Sequence, residues 1–407
     1  MNENERYTGK PEDPSRTKGS FDVIVIGGGI AGCSAAIAAR RHGRSVLLIE
    51  KLTVLGGLAT TGHITIYLPL DDGYGRQVIG GISEELLKLS TKYAYHGTDI
   101  RTWKEEGRRY ECKFNGPAFS LALEELLVTE GVEILYDSLF VGGLMHGGIC
   151  KGVFVENKSG RSLYAAKAVV DASGDADLFF RNGSRCIAAK NSLSIWFYAT
   201  DSEGPADDGS CINQNRGGRD APGIRLISMG RIDTKARKHI VNVPYYGDSA
   251  EDVDRFIKDS HSSLLSEMKR NPTLEPASLP GMADIRMARR IEGAYELSDR
   301  DANMHFDDNI AGTGDWRRPG PVYEIPYRTL FNDHLENVLC AGRCISVSGE
   351  AWEIIRCIPQ ASATGQAAGT AASQLIEEGT TVRNLDVRKL RSTLKADGVI
   401  LDVNKDG

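Results

Sequence analysis

Several features are missing from this chain of 407 residues. No apolar run approaches the ~18 residues that a bilayer-crossing helix needs, which argues against a membrane-embedded protein. There is no excess of positive charge. The formal net charge of −6 offers no electrostatic footprint for a nucleic acid or an anionic membrane surface. Eight cysteines are present, but none forms a CxxC pair, so they read as scattered reduced thiols. The eight histidines show no HxxxH or mixed ligand spacing, and no metal is expected. Residues 1–20 are polar, with Pro11 and Pro14, and lack the hydrophobic region of a secretion signal. They read as a flexible tail, with a cytoplasmic location as the expectation. No internal repeat is visible.

What is present is an ordinary globular composition, 41% hydrophobic and 26% charged, long enough for two to three domains. The most informative stretch begins at Phe21. Asp22 to Ile26 is a short apolar, β-branched run, suited to a buried parallel strand. Gly27-Gly28-Gly29-Ile30-Ala31-Gly32 follows, then an Ala-rich helix to Gly43, then Val46 to Ile49, then Glu50. In this βαβ pattern Gly27 permits the turn, Gly29 lets a pyrophosphate approach the backbone, and Gly32 lets the helix sit close to the sheet. The helix N-terminus favours the negative phosphates. Glu50 is placed to accept from ribose hydroxyls, and its charge would repel the extra phosphate of NADP. The pattern implies a dinucleotide. Next, Lys51 to Gly62 contains Gly56-Gly57, which brings backbone against a second ligand segment where an NAD domain would continue into a strand.

Two later segments complete the pattern: Ala168 to Asp177, and Asn337 to Ser346 followed by Gly349-Glu350-Ala351-Trp352, Arg356 to Gln360 and the small-residue run Gly365 to Ala372. With these the chain resembles FAD-dependent oxidoreductases of the glutathione-reductase-like superfamily, over about residues 21–401. Within it the chain is similar to a broad group of bacterial FAD-dependent oxidoreductases of largely unassigned substrate, and distantly to the flavoprotein subunits of fumarate reductase and succinate dehydrogenase. The resemblance implies FAD as cofactor. Beyond Gly27, Gly29, Gly32 and Glu50, it implies contacts from Ile30, Ala31, Lys51, Gly57, Leu58, Ala59, Val141, Ser173, Gly174, Asp175, Gly342, Arg343, Pro359 and Ala363. The chain departs from the superfamily at Arg343, where many members carry Asp or Glu. It departs again at Gly349, where close relatives often have His, and at Glu353, where they often have Gly. The dithiol of disulfide reductases is missing after the first FAD segment, which argues against thiol–disulfide chemistry.

The fold class expected is α/β. A Rossmann-like FAD-binding domain with a β-meander insertion (21–188 and 322–384) is interrupted by an inserted α+β substrate domain (189–321). A C-terminal helix and tail (385–407) follow. Leu139–Leu144, Gly148–Glu156 and Ser162–Ala166 read as the meander. Ser194–Ala199 reads as a strand, Ser202–Ala221 as a long loop and Ala250–Arg270 as a helix.

Three residues are the catalytic candidates. Arg356 matches by position an arginine that, in the fumarate-reductase branch, anchors a substrate carboxylate. Arg290 belongs to the cluster Arg286, Arg289, Arg290, where 286 and 290 would share a helix face. His63 follows Gly56-Gly57 and could reach the flavin as acid or base. Each has a plainer reading: an internal salt bridge for the arginines, a hydrogen-bonded neutral ring for the histidine. The expected activity is hydride transfer between flavin N5 and a small organic substrate, an anionic one being suited to the arginines. Oxygen chemistry and a non-catalytic flavoprotein stay open. The WxWxIP pattern of halogenases is absent, since Trp196 and Trp352 stand alone. The electron partner and a homodimeric assembly are left open.

Overall fold

The computed structural model describes residues 17–93, 110–200, 213–214, 224–230 and 244–404. Strand β1 (Thr17–Ile26), helix α1 (Ile30–Arg41) and strand β2 (Val46–Ile49) form the expected βαβ unit, with β1 and β2 parallel. Val23, Ile24 and Val25 are fully buried, as a strand covered on both faces requires. Thr17–Ser20, expected in the flexible tail, extend β1; the remainder of that tail lies outside the described residues.

The main sheet runs Glu133–Leu135, β2, β1, Gly160–Asp171, Ile149–Asn157, Leu139–His146, with Val338–Cys340 beside Gly160–Asp171. Sequence patterning splits residues 162–171 into a meander strand and a separate returning strand. The structure shows one strand, Gly160–Asp171, whose two halves have different partners on one side. Ser162 to Ala165 pair antiparallel with Ile149–Asn157, and Val169 to Asp171 pair parallel with Val338–Cys340. On the other side the strand runs parallel to β1. Ile26 stands level with both Ile49 and Asp171, Ile49 with Leu135, and Asp171 with Cys340. The carboxyl ends of five parallel strands therefore form one row. In open α/β sheets that row is where ligands bind.

Helix α1 packs along the Ile358–Glu378 helix at very short range. A Cβ on Gly365 would lie 2.1 Å from the Ala31 carbonyl oxygen, and one on Gly369 would lie 2.1 Å from that of Ala35. Ser34 and Ser362 bridge the seam with a 2.8 Å hydroxyl contact.

A second, antiparallel sheet has the order Asn213–Gln214, Ile224–Met229, Ile195–Thr200, Glu275–Ser278. Alternation along Ile195–Thr200 gives it two different faces. Ile195, Phe197 and Ala199 join Ile227, Met229 and Leu264 of the Ala250–Arg270 helix in a small core. Trp196 and Tyr198 point the other way, and Tyr198 meets His63 and Thr65. The expected loop at Ser202–Ala221 falls outside the described residues, apart from Asn213–Gln214. The Arg286–Arg290 cluster is not helical. Arg289–Ile291 is a strand paired antiparallel with Cys186–Ala188. Among the described residues no helix is long and apolar enough to cross a membrane.

Candidate functional site

A groove of about 1040 Å³, its open mouth included, runs along the carboxyl ends of the parallel strands. Four of the segments that line it carry the expected cofactor contacts. The first is the β1–α1 turn, where Gly27, Gly29, Ile30 and Ala31 line the wall. Gly27 has φ +97°, and a Cβ there would lie 2.6 Å from the Ala172 carbonyl oxygen, so only glycine suits the turn. No side chain caps α1 at Gly29. Its first backbone N–H groups lack intrahelical partners, and with the helix dipole they suit a diphosphate.

The second segment is Glu50 to Ala59. Glu50 is buried. Its Oε2 accepts from Gly28 N and its Oε1 from Leu52 N, both at 2.7 Å. Burial raises its pKa, and the two backbone donors work against that rise. A carboxylate offers about four acceptor positions, so capacity remains for a ligand hydroxyl. Gly56 and Gly57 reach the wall because Gly56 N donates to the Gly28 carbonyl at 2.8 Å.

The third and fourth segments are Ala172–Asp175 and Ala341–Arg343. Arg343 ties them together. Its Nε donates to the Gly174 carbonyl at 2.7 Å, and its Nη2 pairs with Asp175 at 2.8 Å. Where the resemblance leads one to expect a carboxylate, the side chain is a cation spanning two walls. Asp177 also lines the groove and pairs with Arg289 at 2.6 Å. Burial, then the neighbouring Asp175 charge, pushes its pKa up.

Of the expected cofactor contacts, the groove brings together Gly27, Gly29, Ile30, Ala31, Glu50, Lys51, Gly57, Leu58, Ala59, Ser173, Gly174, Asp175, Gly342 and Arg343. Gly32, Val141, Pro359 and Ala363 do not line it. Gly32 backs the turn instead: a Cβ there would lie 1.8 Å from the Gly27 carbonyl oxygen. Val141 sits where the strand register shifts, and Ser138, Leu139 and Phe140 supply the wall. The helix start at Ile358 sets the phase of the last pair. Ile358 and Ala361, three apart, share the face that lines the groove. Pro359 turns away, its carbonyl accepting from Ser83 Oγ at 2.9 Å.

The catalytic candidates separate. Arg356 lines the groove, with its Nε 2.9 Å from Glu353 Oε2. Arg290 does not line it. Arg290 is buried beside Trp352 and paired with Glu296 at 2.6 Å, because strand alternation sends it opposite to Arg289. His63 is not in the wall either. It has Nε2 3.3 Å from Ser278 Oγ and its ring 4.9 Å from that of Tyr198. Burial lowers its pKa, which favours the neutral ring. Sequence reasoning missed Met282, the residue that the loop after Glu275–Ser278 brings to the groove. Nothing local marks that methionine; the loop is held by the 2.9 Å bond from Gly281 N to the Thr61 carbonyl, a contact between distant segments.

Comparison with known proteins adds four findings. The model of a family described as FAD dependent oxidoreductase matches residues 22–195 and 189–394. A thioredoxin reductase of Ureaplasma parvum is 26% identical over 157 residues, 37% of this chain and 50% of that protein. A vinyl phenol reductase of Lactiplantibacillus plantarum is 37% identical over 87 residues, 21% of this chain and 17% of that protein. The chain thus spans half or less of the length of these relatives. Among solved structures, a geranylgeranyl bacteriochlorophyll reductase-like protein of Thermoplasma acidophilum superposes with a TM-score of 0.49 at 14% identity, covering 93% of this chain and 83% of that one.

Proposed function

Because the chain belongs to the family of FAD-dependent oxidoreductases, we propose that it is a dehydrogenase or reductase of a small organic molecule, acting in the groove that Arg356 and Met282 help to line. It is an enzyme, and FAD is its cofactor. Bound FAD supplies a two-electron acceptor or donor, exchanging hydride at N5. The chain's own residues do the rest. The α1 N-terminus and Gly27–Ala31 would hold the diphosphate, and Glu50 the adenosine ribose. The Arg343–Asp175 pair ties the Ala172–Asp175 and Ala341–Arg343 segments together. Arg356 offers a cation, compensated by Glu353, to an anionic substrate group. Asp177, whose pKa is raised, is a candidate for holding a proton at the groove.

The observation that carries this reading is the convergence of four sequence-distant segments on one groove that also includes Arg356 and Met282. Purified protein, reconstituted with FAD, should show the visible bands of oxidised flavin. In anaerobic titrations a subset of small carboxylic acids or alcohols should bleach those bands. Arg356→Ala should weaken productive binding of an anionic substrate roughly tenfold or more, through loss of a charge-assisted contact. Protein that never takes up FAD, or FAD-loaded protein whose flavin no organic donor or acceptor turns over, would sink the proposal.

A further inference from the structure

The charged side chains that line the groove are Glu50, Lys51, Asp175, Asp177, Arg343 and Arg356. Each stands beside an opposite charge. Arg343 pairs with Asp175 at 2.8 Å, Asp177 with Arg289 at 2.6 Å and Arg356 with Glu353, while Glu50 and Lys51 are neighbours in the chain. With these partners included, cations and carboxylates are equal in number. The Arg356 pair has a particular geometry. Nε donates to Glu353 Oε2 at 2.9 Å, and Nη2 donates to the same oxygen. Glu353 thus occupies the side edge of the guanidinium. The end edge, Nη1 with the second N–H of Nη2, makes no hydrogen bond among the described residues. The backbone under the pair is anchored from two sides. Trp352 Nε1 ties the Gly349–Ile355 helix to the Arg343 carbonyl at 2.6 Å, and Trp316 Nε1 donates to the Glu353 carbonyl at 3.3 Å. Glu353 and Arg356 are three positions apart, so one turn of backbone holds both side chains on the same face.

We infer that Glu353 is a specificity-determining residue: it restricts the groove to substrates that bring a single carboxylate to Arg356, and it disfavours dianions. The inference rests on the reading that the substrate binds beside Arg356 in the groove, and it names the charge class of that substrate. A guanidinium presents its donors in a fixed planar fork, and a carboxylate is held best by two parallel N–H groups. The end edge of Arg356 supplies one such pair. The side edge, which could hold a second carboxylate, is taken by Glu353. A second negative charge would also meet the Glu353 carboxylate, while the other cations of the wall already have partners. Selectivity of this kind needs a repulsive element as well as an attractive one. The two indole bonds hold the turn without the Glu353 side chain, so what that side chain adds is its charge.

The test uses the FAD-loaded full chain and three four-carbon probes: butyrate, its neutral isostere butyramide, and the dianion succinate. Binding is read by ligand-observed NMR, which needs no turnover. The parent should bind butyrate in a saturable way, with succinate about tenfold weaker or worse. Glu353→Gln keeps the shape and removes the charge. It should tighten succinate about tenfold, tighten butyrate less and leave butyramide unchanged, a charge-dependent pattern that a merely structural role would not produce. Arg356→Gln should weaken butyrate about tenfold, and thermal melts of both variants check that they fold. The inference is overturned if the parent binds none of the probes or takes succinate as well as butyrate. It is overturned equally if Glu353→Gln binds succinate no better than the parent. A loss of FAD affinity in Arg356→Gln with butyrate binding intact would assign the end edge to the cofactor diphosphate and overturn it too. Failure to take up FAD, or a flavin that no organic donor or acceptor turns over, would instead defeat the functional reading.

Discussion

Asp171 is fully buried at the end of the Gly160–Asp171 strand, yet it organises the turn beyond it. Oδ1 accepts from Ser173 N at 3.1 Å and Ser173 Oγ at 2.6 Å, and Oδ2 accepts from Leu178 N at 2.8 Å. Burial, then the Asp177 charge, raises its pKa from 3.8 to about 6, with the Ser173 and Leu178 donors opposing. The folded state therefore binds this proton more tightly than the unfolded chain. The resulting stability is fully present below the unfolded pKa of 3.8 and is lost as pH rises through about 6. Asp171→Asn keeps the size but has one acceptor oxygen, so its amide faces either Ser173 or the Leu178 N–H. The variant should lose about 1–3 kcal/mol of stability. Its deficit against the parent should narrow between pH 5 and pH 7, because only the parent carries the titrating group. Denaturant melts at the two pH values check this; an unchanged deficit would show that Asp171 does not titrate in that window.

At the scale of elements, the seam between α1 and the Ile358–Glu378 helix decides whether the groove keeps its shape. Ala31 lines the groove, and its carbonyl oxygen lies 2.1 Å from where a Gly365 Cβ would be. Gly365→Ala should force the helices apart, costing ~1–3 kcal/mol, and should weaken FAD binding measurably by fluorescence titration. Gly369→Ala meets the Ala35 carbonyl one turn deeper, so it should cost similar stability with a smaller loss of FAD affinity. Equal FAD affinity in Gly365→Ala and parent would refute the coupling. Local elements were legible in the sequence because their signals are local. The β1–α1–β2 unit declares itself within 30 residues through apolar runs, a glycine turn and a terminal acid. The elements that depend on distant partners were not. Residues 160–171 form one strand only because two different neighbours each take half of it. Arg286, Arg289 and Arg290 have helical spacing, yet pairing with Cys186–Ala188 makes Arg289–Ile291 a strand. For the same reason the groove takes Ile358 and Ala361 where Pro359 and Ala363 were expected: a shift of one or two residues in a helix start rotates its inner face.

Across the whole molecule, the groove is where the fold's long-range contacts are spent. Residues near 27, 57, 174 and 343 meet only when the parallel strands are in register and both helices are docked. The unfolded chain cannot assemble those four segments, so FAD binds the folded state alone. Mass action then makes FAD a folding ligand, worth about 2.7 kcal/mol at a free concentration 100 times its dissociation constant. Thermal unfolding of the protein should shift upward with added FAD, following the logarithm of its concentration. Gly27→Val should abolish the shift, because a side chain at φ +97° would be driven into the Ala172 carbonyl oxygen, closing the turn that faces the diphosphate. Glu50→Gln should shrink the shift and lower basal stability too, since its amide can answer only one of the Gly28 and Leu52 N–H groups. A melting temperature indifferent to FAD in the parent, or a Gly27→Val shift as large as the parent's, would mean that the cofactor does not join these segments.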